Sequence, residues 1–157
     1  MEGTEINKII LISFCDKWTS SVANLLSQCL GMMFCDVNDL VEYELVDKEA
    51  LEKATSKEYL QKNERKVMKH VASFENVVVA ISYDYYIHNV NVLREKALTV
   101  FLKVPKNFIE KCDIISEIAY YDRCENIKKE TDVNINIVKT DEQFVCDKII
   151  KTLRGVL

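Results

Sequence analysis

The stretch Ser13–Ser21 holds the densest group of side chains that could bind an ion. It combines four hydroxyl groups with Asp16 and Lys17, and it lies between an Ile-rich run and a segment with helical periodicity. A strand, a short loop and a helix in this order make up the architecture of a phosphate-binding loop, in which backbone N–H groups surround the anion. We therefore take Ser13–Ser21 as the candidate phosphate-binding segment.

Polar residues also follow the second and third apolar runs of the chain. Asp36 and Asn38 come directly after the second run, and Ser82–Asp84 closes the third. In parallel sheets, ligands bind in the crevice at the carboxyl ends of the strands. The sequence therefore predicts that these residues meet Ser13–Ser21 at one edge of a sheet.

Five short apolar runs predict the elements that position these side chains. They are Ile9–Phe14, Met32–Cys35, Val77–Ile81, Leu98–Val104 and Val133–Val138. The first, third and fourth are continuous and rich in Ile, Val and Leu, which is typical of strands buried on both faces of a parallel sheet. Strands that alternate with helices form right-handed βαβ units. The sequence thus predicts a single three-layer α/β/α domain over residues 1–157, with a central five-stranded parallel sheet.

Particular residues predict where the helices begin and end. We expect Gly31 to end the first helix and Asp141 to cap the last one. Thr55 belongs to a capping box that opens a long helix ending at Phe74. Pro105 stands where a helix starts after the fourth strand.

The composition argues against several classes of partner and site. A net charge of −4 gives no support to binding of nucleic acid or of an anionic membrane, and no apolar run approaches the ~20 residues that span a bilayer. The six cysteines form no C-x-x-C pair, and the two histidines lack metal-ligand spacing, so a zinc site is not expected. Because the N-terminal segment has no apolar signal region, we expect a cytoplasmic protein with reduced thiols.

The order of these landmarks resembles the shikimate kinases along nearly the whole chain. In that family a G-x-x-G-x-G-K-[ST]-[ST] loop is followed by F-x-D-x-D, by F-R-x-x-E in a helix, by a strand ending in G-G-G and by one ending in V-P. Here Ser13–Ser21, Phe34–Asn38 and Val104–Pro105 stand at the corresponding spacings. The resemblance implies a P-loop kinase fold and, for a complete site, transfer of the ATP γ-phosphate to shikimate with Mg²⁺.

The nucleotide half of the site departs from the family pattern. Its glycine positions are Ser13, Asp16 and Trp18, and its lysine position is Thr19. Glycine is needed there because part of the turn uses positive φ and because a side chain blocks close approach to the phosphate. Asp16 also adds a negative charge where the nucleotide would lie, and Thr19 cannot supply the ammonium that would attract its phosphates. At an effective dielectric near 20, one such contact at 4 Å is worth about 4 kcal/mol.

Two serines retain the hydroxyl groups that the family has in the nucleotide half of the site. Ser20 and Ser21 stand where the family has a magnesium ligand, and we expect them to cap the helix instead. The only glycines of the chain are Gly3, Gly31 and Gly155, so no Gly-rich nucleotide loop can be built from them.

The substrate half departs from the pattern as well. Asp36 retains the first carboxylate of F-x-D-x-D, as a vestigial metal position or simply a turn acid, whereas Asn38 replaces the second. Gln61 replaces the arginine that would clamp the substrate carboxylate. Ser82, Tyr83 and Asp84 replace the three glycines. Arg123 is the candidate for the late substrate-binding arginine.

Two aromatic segments are open to more than one interpretation. Tyr83–His88 either folds as a loop over the former site or forms a patch that binds a partner, and Tyr120–Tyr121 could extend it. Trp18 either fills the former phosphate site, which we favour, or marks a contact surface. The segment Asp113–Tyr121 replaces the basic lid and contains no Arg or Lys.

We therefore expect a shikimate kinase-like protein that has lost ATP binding and phosphotransfer. It would need no cofactor and would act as a binding module for a protein partner, a second copy of itself or a small ligand. The alternative is a divergent active shikimate kinase that uses ATP and Mg²⁺, with Lys17 at the phosphates and Arg123 at the substrate carboxylate. A third hypothesis is phosphotransfer to, or binding of, another small acceptor or nucleotide.

Overall fold

Five parallel strands form the centre of the computed structural model, which describes residues 7–44, 57–112 and 117–156. The strands are β1 (Lys8–Ser13), β2 (Met33–Asp36), β3 (Val77–Ser82), β4 (Leu98–Lys103) and β5 (Val133–Asn136). They lie in the order β2-β3-β1-β4-β5, and every neighbouring pair is parallel. The predicted five-stranded parallel sheet is therefore confirmed.

Helices cover both sides of this sheet, as a three-layer α/β/α fold requires. They are α1 (Asp16–Leu30), α2 (Val37–Glu44), α3 (Lys57–Ser73), α4 (Tyr83–His88), α5 (Val90–Leu93), α6 (Lys106–Cys112), α7 (Glu117–Lys129) and α8 (Glu142–Val156). α1 packs against α8, and α3 packs against α2 and α5.

The core is built mainly from the three central strands. Every residue of β1 is buried, and β3 and β4 are buried except for the last residue of each. The edge strand β5 alternates instead, with Val133 and Ile135 inside and Asn134 and Asn136 exposed. This contrast follows the sequence pattern, because continuous apolar runs favour the centre of a sheet and alternation favours its edge.

Most of the predicted helix ends are confirmed. Gly31 adopts the left-handed conformation (φ 66°) directly after α1, where a side chain would be strained. The Asp141 carboxylate accepts a hydrogen bond from the Phe144 N–H at 3.0 Å and so caps α8. The Pro105 carbonyl accepts from the Phe108 N–H at the start of α6. The proposed capping residue Thr55 lies outside the described residues.

The segment Tyr83–His88 is a helix, and the prediction that it is a loop is wrong. Its less exposed residues are Tyr83, Tyr85, Tyr86 and Ile87, and all four belong to or pack against the hydrophobic core. Tyr86 is completely buried, and its hydroxyl donates to the Glu130 carbonyl. Packing on the sheet therefore orders this aromatic segment as a helix.

The five cysteines with described side chains are all free thiols. Cys15 is buried, whereas Cys29 is exposed. Burial and the nearby Asp36 raise the pKa of the Cys35 thiol to about 11. Within the ranges described, no helix is both long enough and apolar enough to cross a membrane.

Candidate functional site

The connection between β1 and α1 is very short. β1 ends at Ser13 and α1 begins at Asp16, so only Phe14 and Cys15 lie between the two elements. Cys15 occupies the N-cap position, and the helix includes the residues that correspond to the second half of a phosphate-binding loop. Ser20 and Ser21 therefore lie in the second turn of α1, and the prediction that they cap it is wrong.

Hydrogen bonds fill the inside of this first turn. The Thr19 hydroxyl and the Thr19 N–H both donate to the Cys15 carbonyl at 2.9 Å. The Ser13 and Thr19 hydroxyl groups are hydrogen-bonded to each other, and the Cys15 N–H donates to the Ser13 oxygen at 3.0 Å. Ser13, Cys15 and Thr19 are each at most 2% exposed. The residues at the first glycine position and at the lysine position are thus bonded to each other inside the protein.

Trp18 packs on the outside of the turn. Its indole Nε1 donates to the Thr140 carbonyl at 2.9 Å, and its ring meets Phe108 edge to face at 5.9 Å. It thereby links α1 to α6 and to the connection before α8. The expectation that Trp18 fills the inside of the turn is wrong, because the smaller Thr19 side chain occupies that position.

A small open pocket lies beside the turn. It has a volume of about 360 Å³, and its lining includes both predicted serines; the residues are Asp16, Lys17, Ser20, Ser21, Asp36, Asn38 and Asp39. The structure thus brings together the predicted hydroxyl groups, Lys17, Asp36 and Asn38. Of the described lining residues, three carry carboxylates and one carries an ammonium, which gives this part of the pocket a negative balance of charge.

Asp36 and Asn38 have different surroundings in this pocket. The Asp36 carboxylate accepts a hydrogen bond from the Asp39 N–H at 3.2 Å, which is the role of a turn acid at the start of α2. The Asn38 side-chain oxygen is buried and has no hydrogen-bond partner among the described residues. No group of three His, Cys, Asp or Glu side chains in the ranges described is arranged to hold a metal ion.

Aromatic side chains occupy the crevice at the carboxyl ends of the central strands. The Phe14 ring lies 5.7 Å from the Tyr83 ring, 5.9 Å from the Tyr120 ring and 5.4 Å from the Phe101 ring. These four residues, from β1–α1, α4, α7 and β4, form what we call the crevice cluster. The Tyr120 hydroxyl donates to the Val104 carbonyl at 2.9 Å, and burial raises the pKa of Tyr120 to about 12.

The predicted substrate residues do not form one site. The Arg123 guanidinium lies over the Tyr83 ring, 5.5 Å from its centre, as in a cation–π contact. Ser82 is the N-cap of α4 and is paired with Ser13 across the sheet. Asp84 and Gln61, which lies on α3, are both exposed. Neither of them lines the pocket around Asn38.

The sequence reasoning missed Phe14 as a site residue. Phe14 had been assigned to the first strand, but it lies just beyond β1 and contacts all three other members of the crevice cluster. A large aromatic residue directly after a buried strand, where ligand loops usually carry small residues, is the signal that could have identified it.

The chain is similar in structure to several small-molecule kinases. Shikimate kinase from Aquifex aeolicus vf5 matches with a TM-score of 0.77 and 23% identity, over 94% of this chain and 96% of that one. Shikimate kinase from Acinetobacter baumannii in complex with shikimate matches with a TM-score of 0.74 and 15% identity, over 97% and 95%. A gluconokinase from Sinorhizobium meliloti 1021 matches with a TM-score of 0.60 and 12% identity, over 96% and 93%.

No curated protein matches the chain in sequence. The family model of shikimate kinase, however, matches residues 19–114, so the match begins at Thr19 and covers more than half of the chain. At the identities above, the structural matches demonstrate the P-loop kinase fold, and the family model identifies the family. The chain belongs to the shikimate kinase family.

Proposed function

We propose that this family member has lost ATP binding and phosphotransfer and works as a binding or interaction module. The observation that carries the proposal is the direct passage from β1 into α1 through Phe14 and Cys15. A phosphate-binding loop needs several residues of open backbone whose N–H groups turn inward around the anion. Here the Cys15 carbonyl accepts two hydrogen bonds from Thr19 at this position.

The charges around the turn also support the proposal. Thr19 stands at the lysine position, is 1% exposed and bonds to Ser13 and Cys15. The pocket next to it is lined by Asp16, Asp36 and Asp39. A triphosphate carries three or four negative charges, and an opposing ammonium at the β- and γ-phosphates is part of the usual catalytic set. The residues present do not fit that group.

The crevice cluster supports loss of the acceptor site. In α/β sheets of this kind the ligand lies outside the carboxyl ends of the strands where the strand order reverses. Phe14 contacts Tyr83, Tyr120 and Phe101 there. The guanidinium of Arg123 lies over the Tyr83 ring. We therefore expect no site for shikimate at this edge.

Isothermal titration calorimetry with ATP–Mg²⁺ and, separately, with shikimate tests the proposal. We expect no saturable heat with either ligand, and an active shikimate kinase under the same conditions serves as the positive control. A coupled assay for ADP release should likewise stay at the background rate. Micromolar binding of both ligands would overturn the proposal.

A divergent active shikimate kinase is the second candidate, and one observation favours it. Lys17, Ser20 and Asp36 line the same pocket, so an ammonium, a hydroxyl and a carboxylate lie together near the start of α1. In an active kinase Lys17 would bind the phosphates of ATP. Ser20 with Asp36 would hold Mg²⁺, the metal that neutralises phosphoryl charge in enzymes that transfer phosphate. Arg123 would anchor the substrate carboxylate.

The variant Lys17→Ala discriminates between the two candidates. If the protein is an active kinase, the coupled assay should detect turnover in the parent protein and none in Lys17→Ala. Lys151→Ala, which removes an exposed lysine of α8, is the matched control. Turnover that persists unchanged in Lys17→Ala would contradict the role of Lys17, and absence of turnover in the parent protein would contradict the second candidate.

A further inference from the structure

A second pocket lies among α3, α4, α5 and α7, and no member of the crevice cluster lines it. Its volume is about 550 Å³, which is within the usual range of about 300–1,000 Å³ for small-molecule sites. Arg65 and Lys69 contribute from α3, Lys129 from the end of α7, and His88 from the end of α4. We call it the cationic pocket.

The charge of this pocket is opposite to that of the chain. Among the described residues of its lining, the cations Arg65, Lys69 and Lys129 outnumber the one carboxylate, Glu130, whereas the whole chain has a net charge of −4. Arg65 and Lys69 are one helical turn apart, and like charges at this spacing repel each other. Among the described residues, none of these three cations forms an ion pair. A concentration of such cations in a concave surface favours an anionic ligand.

The Glu130 carboxylate is itself partly neutralised by Arg94. The Arg94 guanidinium lies 3.8 Å from the Glu130 carboxylate and 3.1 Å from the Asp132 carboxylate. Arg94 is not among the described lining residues, so it offsets part of the Glu130 charge without belonging to the lining. The positive balance of Arg65, Lys69 and Lys129 is therefore retained inside the pocket.

Buried hydrogen bonds fix the walls of the pocket. The buried Tyr86 hydroxyl donates to the Glu130 carbonyl and joins α4 to the end of α7. The buried Asn89 side chain donates to the Tyr85 carbonyl at 2.8 Å, and the Asn89 carbonyl accepts from the Leu93 N–H at 3.0 Å. A site with fixed walls loses little conformational entropy when a ligand binds. The exposed amide of Asn126 adds a neutral hydrogen-bond donor to the lining.

We propose that the cationic pocket binds a small polyanion with at least two negative charges, such as a phosphate ester or a di- or tricarboxylate. Arg65 offers the planar, bidentate geometry that suits phosphate and carboxylate groups, and Lys69 and Lys129 act as point charges. The inference goes beyond the proposed function, because it concerns a different pocket and stands whether or not ATP binding is lost.

Calorimetric titrations of the full chain with pyrophosphate and with citrate, at constant ionic strength, test this proposal. We expect saturable binding of at least one probe with one site per chain, and at least a tenfold loss of affinity in the double variant Arg65→Ala/Lys69→Ala. Arg65→Lys, which keeps the charge, should retain more affinity than Arg65→Ala. Lys66→Ala is the matched control, since Lys66 is an exposed cation of α3 that does not line the pocket.

The outcomes separate this proposal from the preceding one. Affinity that is lost in Lys17→Ala but kept in Arg65→Ala/Lys69→Ala would locate the anion at the start of α1, which contradicts both proposals. Absence of saturable binding by the parent protein, or equal losses in the double variant and in Lys66→Ala, would overturn the cationic pocket alone. The thermal unfolding midpoint of each unliganded variant should stay close to that of the parent protein, because the substituted side chains are exposed.

Discussion

Two concave regions of the molecule differ in how far they are filled and in the residues that line them. One is the crevice at the carboxyl ends of the strands, and the other is the cationic pocket between the helices. The crevice is occupied by Phe14, Tyr83 and Tyr120, and the adjoining turn satisfies its own hydrogen bonds. The cationic pocket is open and is lined by exposed cations such as Arg65 and Lys69. The sheet is the same for both regions. The difference shows that one sheet can carry a filled crevice at its strand ends and an open cationic pocket between its helices, so the fold alone does not determine where a ligand binds.

The largest effect is expected when the family lysine is placed in the turn. Thr19→Lys would put an ammonium at a position that is 1% exposed and already bonded to Ser13 and Cys15. An uncompensated buried charge costs about 3 kcal/mol or more of the free energy of unfolding. Denaturant unfolding followed by circular dichroism measures this loss.

The neighbouring exposed position provides the control for that variant. Ser21→Lys introduces the same charge on the surface of α1 and should change the free energy of unfolding by no more than about 0.5 kcal/mol. A Thr19→Lys protein that is as stable as the parent and binds ATP would show that the turn opens readily, and the contrast between the two regions would then fail.

The second prediction concerns the crevice cluster. Phe14→Ala removes a ring that contacts Tyr83, Tyr120 and Phe101, and it should lower the free energy of unfolding by about 2–3 kcal/mol. Tyr121→Ala is the aromatic control, because Tyr121 is 57% exposed. Equal, small losses in both variants would mean that the crevice is not a packed part of the core.

The third prediction concerns the charges next to the cationic pocket. Asp132 accepts hydrogen bonds from the Thr99 N–H at 3.0 Å and from Arg94 at 3.1 Å. Burial alone would raise the pKa of Asp132, but these bonds outweigh it and lower the pKa below the ordinary value. A lowered folded-state pKa gives stability that is present above the unfolded pKa of about 3.9 and is lost as the pH falls through the folded pKa.

Because solvent screens the partly exposed pair of Asp132 with Arg94, Asp132→Asn should cost no more than about 1–1.5 kcal/mol at neutral pH, and the difference from the parent protein should shrink below about pH 4. Urea unfolding at a series of pH values measures both effects. A difference that stays constant down to the lowest pH would show that the charge of Asp132 is not involved. Because Arg94 also pairs with Glu130, the variant should alter the affinity of the cationic pocket only slightly.

The smallest effect is expected at the outside of the turn. Trp18→Phe keeps an aromatic ring beside Phe108 but removes the hydrogen bond to the Thr140 carbonyl, which should cost about 1 kcal/mol. For a chain of this size that corresponds to a decrease of about 2–4 °C in the thermal midpoint. Tyr43→Phe, at an exposed position, serves as the control. An unchanged midpoint for Trp18→Phe would contradict the assigned contact.

The sheet could be predicted from sequence because each strand corresponds to its own apolar run, and the five runs all indicate the same α/β fold. Each central strand is a continuous run such as Val77–Ile81, and the alternation in Val133–Val138 identifies an edge strand. The start of α1 could not be predicted in the same way. The helical turn Asp16–Thr19 is accompanied by a buried hydrogen bond between the Ser13 and Thr19 hydroxyl groups, and the sequence does not reveal that contact.

The candidate site could be predicted only in part from the sequence. Asp36, Asn38 and Ser20 were expected together, and the strand ends do bring them into one pocket. The cationic pocket was missed because Arg65, Lys69 and Lys129 come from helices that are distant in sequence. Cations on helix surfaces usually indicate a solvated face, and only the packing of α3 near α7 makes them converge.

The measurement that tests the central claim most directly is a nuclear magnetic resonance titration of the amide signals of Cys15–Ser21 with ATP–Mg²⁺. These amides would have to surround a triphosphate in a working phosphate-binding loop. We predict that their chemical shifts do not change beyond those of exposed residues elsewhere in the chain. Saturable shifts confined to Cys15–Ser21 would demonstrate nucleotide binding at the turn and would contradict the account.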